Sequence, residues 1–148
     1  MRIRTLVKKL IPRRLFATVE PWGHLVEAIG ANIYYGFPAR KMKIIGVTGT
    51  NGKTTTSFMI HTMLAKSGIK TGLMTTVAYG VNDKIIPQIA HMTTASAPLL
   101  QKRLKEFKEQ GVEWVVLETT SHALAQQRVW GIPYQVTVMT NVAYEHTA

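Results

Sequence analysis

The segment Lys43-Ile-Ile-Gly-Val-Thr-Gly-Thr-Asn-Gly-Lys-Thr-Thr-Thr56 constrains this chain more than any other. An apolar, β-branched run stops at a glycine-rich turn that ends in Gly52-Lys53-Thr54. That order reads as a buried strand, a tight loop and the start of a helix. Gly46, Gly49 and Gly52 permit backbone conformations and a close approach that side chains would block. Successive N–H groups and the positive end of a helix then face an anion. In such a loop the lysine, Lys53, reaches β- and γ-phosphates, and the hydroxyl of Thr54 sits on Mg²⁺. The expected ligand is a nucleoside triphosphate, ATP, held by Gly49, Thr50, Asn51, Gly52, Lys53, Thr54 and Thr55.

The rest of the chain alternates as an α/β domain should. Ile44–Thr48 is the first strand and 54–66 a helix with Phe58, Ile60, Met63 and Leu64 as its apolar residues. Thr71–Val81 reads as one strand or an extended pair, with a turn at Asn82-Asp83. Residues 84–97 read as a strand edge leading into a functional loop. Pro98–Gln110 is an amphipathic helix with proline in its first turn. Trp114–Glu118 is an apolar strand ending in a carboxylate, and Gln135–Asn141 is a further strand. The fold class expected is a P-loop-type, mostly parallel sheet flanked by helices over 43–148, preceded by a basic, mostly helical segment over 1–42.

The chain has 148 residues, enough for one ordinary domain. It has no cysteine, which excludes disulfides and thiolate chemistry. Its net charge is +10, unevenly placed. Residues 1–43 hold nine basic side chains against Glu20 and Glu27, a net of +7, so the remainder is only mildly basic. The high charge therefore does not mark a nucleic-acid binder. Within 1–16, Ile3, Leu6, Val7, Leu10 and Ile11 fall at helical spacing among arginines and lysines, with Pro12 as a break. That pattern suits peripheral contact with an anionic membrane surface, or packing on the domain. No run approaches the roughly 18 apolar residues of a membrane span.

Several details go beyond a generic phosphate loop. The common pattern has a glycine five residues before the glycine of Gly-Lys-Thr; here that position is Val47. What stands instead, Gly-x-Thr-Gly-Thr-Asn-Gly-Lys-Thr-Thr, resembles the loop of the Mur ligase family. The run Glu118-Thr-Thr-Ser-His-Ala-Leu-Ala-Gln-Gln-Arg-Val129 is similar to the Glu-x-Ser-Ser-His-x-Leu-x-Gln-x-Arg-Val run of its MurE branch, which adds the third residue of the peptidoglycan stem peptide. Thr93-Thr94 resembles the family's Thr-Thr-Pro loop, with Ala95 in place of the proline. Thr140-Asn-Val-Ala-Tyr-Glu-His146 resembles its Thr-Asn-x-x-x-Asp-His segment, with Glu145 in the aspartate's place.

The resemblance implies an ATP-dependent, amide-forming ligase acting on a UDP-N-acetylmuramoyl-peptide and an amino acid, in the cytoplasm. Lys53, Glu118 and His146 would be catalytic, with Thr54, Glu118 and His146 as Mg²⁺ ligands. Thr93, Thr94, Ser121 and Arg128 would hold the UDP-muramoyl-peptide. A folylpolyglutamate-synthetase-like ligase shares such a loop, but the Ser121-His122…Arg128-Val129 run argues against it. Another reading is a non-catalytic nucleotide-binding module docked to a membrane or partner. The family's usual first and third domains, and the lysine it carbamylates, have no counterpart in these 148 residues, so an incomplete ligase, inactive alone, is expected. Taken singly, His122 reads as a helix-start or packing residue. His24, His61 and His91 carry no motif, and Trp114 and Trp130 read as core or interface aromatics.

Overall fold

A computed structural model describes the backbone of residues 13–88 and 94–142, with side chains from residue 22 onward. Most of the amphipathic pattern proposed over 1–16, and with it Thr93, His91, Glu145 and His146, lies outside the described residues. The described chain opens with helix α1 (Arg13–Tyr35), followed by a 3₁₀ turn at Pro38–Lys41. Then come β1 (Lys43–Thr48), α2 (Lys53–Lys66), β2 (Thr71–Met74), β3 (Ala78–Val81), β4 (Lys84–Pro87), α3 (Ala97–Glu109), β5 (Trp114–Glu118), α4 (Ser121–Ala125) and β6 (Tyr134–Met139).

The six strands form one sheet in the order β4-β3-β2-β5-β1-β6. Strands β2, β5, β1 and β6 run parallel, while β3 and β4 add an antiparallel edge. The stretch 71–81 is thus a hairpin pair, not one strand. Parallel strands buried on both faces need continuous apolar runs, and Ile44–Val47 and Val115–Leu117 supply them.

The alternation of side chains divides the core in two. On one face Ile44, Met74, Val115 and Leu117 pack with Leu100, Leu104 and Phe107 of α3 and with Ala39 and Met42. On the other, Ile45, Val47, Leu73 and Val116 pack against Phe58, Ile60 and Leu64 of α2 and against Trp114. Helix α2 keeps most of its expected apolar residues on this core: Phe58, Ile60 and Leu64 pack there and only Met63 does not. Its buried positions are Ser57 and His61, whereas Met59 and Met63 face solvent. His61 is a packing residue: Nε2 lies 3.2 Å from the Thr71 carbonyl, and burial lowers its pKa.

Two details bring β1 and β6 together. Ile44 pairs with Tyr134 and Ile45 with Val136, so Gln135 is an extra residue in the ladder. Its own Oε1 accepts from Ile44 N–H at 2.7 Å and satisfies that donor. Gly46 leaves room for the Tyr134 ring, since a Cβ there would lie 2.7 Å from ring carbons. Tyr134 Oη meets Thr119 Oγ1 at 2.9 Å, one residue past the end of β5.

Burial pushes the Tyr134 phenol up to about 12, with the Thr119 contact pulling weakly the other way. The folded pKa lies above the ordinary value of 10.0. The unfolded chain therefore ionises first, and stability present below pH 10 falls as pH rises toward 12. Urea unfolding across that window should show this fall for the wild-type chain and a shallower one for Tyr134→Phe, which should also cost about 1 kcal/mol at neutral pH.

Candidate functional site

The site lies at the carboxyl ends of β1 and β5, where the two central strands deliver the loop 49–52 and the carboxylate of Glu118. Open α/β sheets commonly bind ligands outside these strand ends. Gly49 sits at φ +135°, and a Cβ there would collide with Thr140 Oγ1 and press on the Asn141 backbone. Gly52 sits at φ +79° as the N-cap of α2, with no side-chain cap and no acidic residue in the first turn. Gly52 thus offers the first N–H groups of α2 no capping side chain, and the positive helix end has no acidic group in that turn. Helix α4 is different: the Thr120 side chain caps it by accepting from Ala123 N–H at 3.1 Å. Lys53 Nζ donates to the carbonyls of Gly49 and Thr50, both at 2.8 Å. An ammonium has three donors, so one remains for a ligand.

The loop is held from behind by the residues that follow β6. Thr140 N–H continues the ladder to Thr48 O at 2.9 Å. Its hydroxyl donates to Asn51 O at 2.6 Å. Asn141 Oδ1 accepts from the N–H groups of Thr50 (3.1 Å) and Asn51 (3.0 Å), and its Nδ2 donates to Asn51 O at 3.2 Å. Both faces of one peptide segment are thus engaged by one amide side chain.

Glu118 is 2% exposed. Its Oε2 accepts from Thr54 Oγ1 (2.9 Å) and from Thr76 N–H (3.1 Å), and its Oε1 accepts from Thr76 Oγ1 (3.1 Å). All three are neutral donors, and among the described residues no ion pair involves this carboxylate. A carboxylate so placed suits a cation. Thr50–Thr55, Thr76, Val77 and Glu118 line a cleft of about 420 Å³. Among the described residues no group of three or more His, Asp or Glu side chains could form a complete metal cage. One carboxylate and one hydroxyl beside a phosphate loop fit Mg²⁺, a hard ion that keeps waters and takes its remaining ligands from phosphates.

A second corner adjoins the first. Thr94 is buried; its Oγ1 lies 3.4 Å from both Glu118 O and Thr120 Oγ1 and accepts from Thr120 N–H at 3.2 Å. Arg128 is also buried, and its Nη1 donates to Thr94 O at 2.6 Å. Burial lowers the guanidinium pKa, and Arg128 Nε is buried without a hydrogen-bond partner among the described residues. Ser121 and His122 are exposed in the first turn of α4.

Of the residues singled out from sequence, Thr50–Thr55 and Glu118 converge on one cleft, Gly49 anchors Lys53 behind it, Thr94 and Arg128 meet beside it, and Ser121 stands three residues from Glu118. Thr76, Thr140 and Asn141 were missed. The Thr140-Asn141 pair stood in a recognised run but was given no role. Thr76 follows β2, and only the pairing of Met74 with Leu117 brings it to Glu118. Asn141→Ala should speed amide exchange at Asn51 about tenfold, matching a net loss of about 1–1.5 kcal/mol, and at Thr50 less, because that N–H keeps the Asn141 backbone carbonyl at 3.3 Å. Hydrogen-exchange NMR on the wild type and the variant checks this.

Much of the described chain is similar to known proteins. The family model described as the Mur ligase middle domain matches residues 47–148. The chain is 46% identical over 119 residues to UDP-N-acetylmuramoyl-L-alanyl-D-glutamate–2,6-diaminopimelate ligase of Geobacillus kaustophilus (strain HTA426), covering 80% of this chain and 24% of that protein. It is 44% identical over 112 residues to UDP-N-acetylmuramyl-tripeptide synthetase of Deinococcus radiodurans, covering 75% and 23%. A solved structure of a UDP-N-acetylmuramoyl-L-alanyl-D-glutamate–2,6-diaminopimelate ligase superposes with a TM-score of 0.62 at 34% identity, over 72% of this chain and 21% of the other. The bifunctional folylpolyglutamate synthase/dihydrofolate synthase of Yersinia pestis shares the fold, with a TM-score of 0.65 at 18% identity over 84% and 36%. The chain spans about a quarter of the length of the curated relatives it matches.

Proposed function

The chain belongs to the Mur ligase middle domain family, and from that premise we propose that it is the ATP-binding part of a cytoplasmic ligase that forms an amide bond on a UDP-N-acetylmuramoyl-peptide in peptidoglycan synthesis. The observation that carries this reading is Glu118, fixed by Thr54 and Thr76 at the mouth of a phosphate loop whose helix start is uncapped. A carboxylate oxygen of the muramoyl-peptide attacks the γ-phosphorus of ATP, the bond to the β-phosphate oxygen breaks, and ADP leaves. The amine of the incoming amino acid then attacks the acyl-phosphate carbon. The carbon–oxygen bond to phosphate breaks, inorganic phosphate leaves, and the amine proton is lost as the amide forms.

The roles of this chain's residues follow from charge and reach. The N–H groups of 50–54 and the positive end of α2 hold the β- and γ-phosphates. Lys53, anchored on two loop carbonyls, places a positive charge against the γ-phosphate as negative charge builds on the leaving ADP. Thr54 and Glu118 would hold Mg²⁺, which supplies charge neutralisation between the β- and γ-phosphates when bound. His146 is assigned to a second ion and Thr93 to the muramoyl-peptide by family resemblance, both outside the described residues. Thr94, Ser121 and Arg128 complete the proposed muramoyl-peptide site. The unpartnered Nε of Arg128 beside Thr94 supports that assignment, because a guanidinium suits a carboxylate or a phosphate.

The cytoplasmic reading rests on the supply of ATP; no described helix is long and apolar enough to cross a membrane. The relatives named above include ligases named for 2,6-diaminopimelate, and the amino acid that this protein adds is left unassigned.

Calorimetric titration with ATP and Mg²⁺ tests the nucleotide half of the proposal. Lys53→Ala should weaken ATP at least tenfold, since a charge-assisted hydrogen bond contributes about 1.5–3 kcal/mol. Glu118→Gln should remove the gain in ATP affinity that Mg²⁺ confers on the wild-type chain. Saturation-transfer NMR with UDP-N-acetylmuramoyl-dipeptide and with tetrahydrofolate tests the substrate class. Signal from the former alone is expected; signal from folate alone would overturn the assignment.

A further inference from the structure

The connection between β2 and β3 is a four-residue turn that fixes the position of Thr76. Thr75 N–H donates to Ala78 O at 2.9 Å and closes the turn. The Thr75 hydroxyl is itself buried; it donates to Ala78 O at 3.0 Å and accepts from the N–H groups of Val77 (3.3 Å) and Ala78 (3.1 Å). One donor and two acceptor positions are all that a hydroxyl has. Val77 O accepts from Gln88 N–H at 2.7 Å, which ties the turn to the residue after β4.

Thr76, held in this turn, aims two donors at one acceptor group. Its N–H reaches Glu118 Oε2 and its hydroxyl reaches Oε1, each at 3.1 Å. A carboxylate offers about four acceptor positions, two on each oxygen. On Oε2 both are taken, by Thr76 N–H and by the Thr54 hydroxyl. On Oε1 the Thr76 hydroxyl takes one, so among the described residues one position stays open. The last torsion of a glutamate side chain is otherwise broad. Bonds to both oxygens from one residue of a closed turn restrict it, and they leave Oε1 as the oxygen with room for a cation.

We propose that Thr76 is a positioning residue: its hydroxyl sets the plane of the Glu118 carboxylate and, through it, the affinity of the nucleotide site for Mg²⁺. Outer groups that orient a metal-binding carboxylate commonly change metal affinity by about 10-fold or more when removed. This inference rests on the nucleotide reading above, and its test separates the two.

Calorimetric titration of the 148-residue chain with ATP, in the presence and absence of Mg²⁺, gives two affinities whose ratio is the readout. Thr76→Val keeps the shape and the N–H but loses the hydroxyl, and its ratio should fall about tenfold below that of the wild type. Thr76→Ala should repeat the fall, and it stands in for the valine variant if that one fails to fold. Thr76→Ser retains the hydroxyl and should match the wild type. A residue that only shaped the turn would weaken ATP equally with and without the ion and leave the ratio alone. An unchanged or raised ratio in the valine and alanine variants therefore overturns the proposal, as does a serine variant that behaves like valine. A wild-type ratio near one would refute the assignment of Mg²⁺ to Thr54 and Glu118, and this inference with it. A large wild-type ratio that survives loss of the hydroxyl refutes the role of Thr76 alone.

Discussion

The parallel pairing of β1 with β5 is the constraint on which the site depends. Val47 stands opposite Glu118 in that register, so the strand that launches the phosphate loop lies beside the strand that ends in the carboxylate. A slip of one residue would turn every side chain of β5 to the other face of the sheet and withdraw Glu118 from Thr54. Apolar residues on both faces hold the register: Ile44 with Val115 and Leu117 on one side, Ile45 and Val47 with Val116 on the other. The second neighbour, β6, extends the same logic. Its last residues run on past Met139 into the Thr140-Asn141 clamp, so the loop is held between the ends of two strands.

Among the described residues, the Glu118 carboxylate is met by neutral groups alone. Three neutral donors orient its carboxylate, and Lys53 is engaged with loop carbonyls. Neutral hydrogen bonds fix a buried carboxylate in direction without cancelling its charge, which leaves a strong local field for a cation. The uncapped start of α2 presents the opposite polarity a few residues away. A polyphosphate carrying a divalent ion matches both poles, and that complementarity links the fold to the chemistry proposed for it.

Much of this was legible in the sequence because it is local. The run 43–56 contains its own strand, turn and helix start, and Glu118 closes an apolar run, so pattern alone located both. The neighbours of Glu118 were not legible. Thr76 reaches it only because β2 lies on the far side of β5, and nothing around Thr76 marks a site. Thr140 and Asn141 stood in a run that resembled the family's, yet their work is to bond backbone groups 89–92 residues earlier, which no spacing announces. Helix α2 misled only at Met63, and for another reason. Its apolar residues surround the helix, and the sheet surface above β1 and β2 selects Ser57 and His61 for the tightest positions, leaving Met63 outside. Helix α1 was legible as part of a mostly helical segment, but the side it buries is set by packing at Ala28 and Ala31.

A crystal structure of this chain with a non-hydrolysable ATP analogue and Mg²⁺ tests the central claim most directly. The account predicts the triphosphate on the N–H groups at the start of α2, the ion between Thr54 and Glu118, and Lys53 Nζ about 3 Å from a phosphate oxygen. An analogue bound away from the loop, or bound there with the ion held by neither Thr54 nor Glu118, would contradict it.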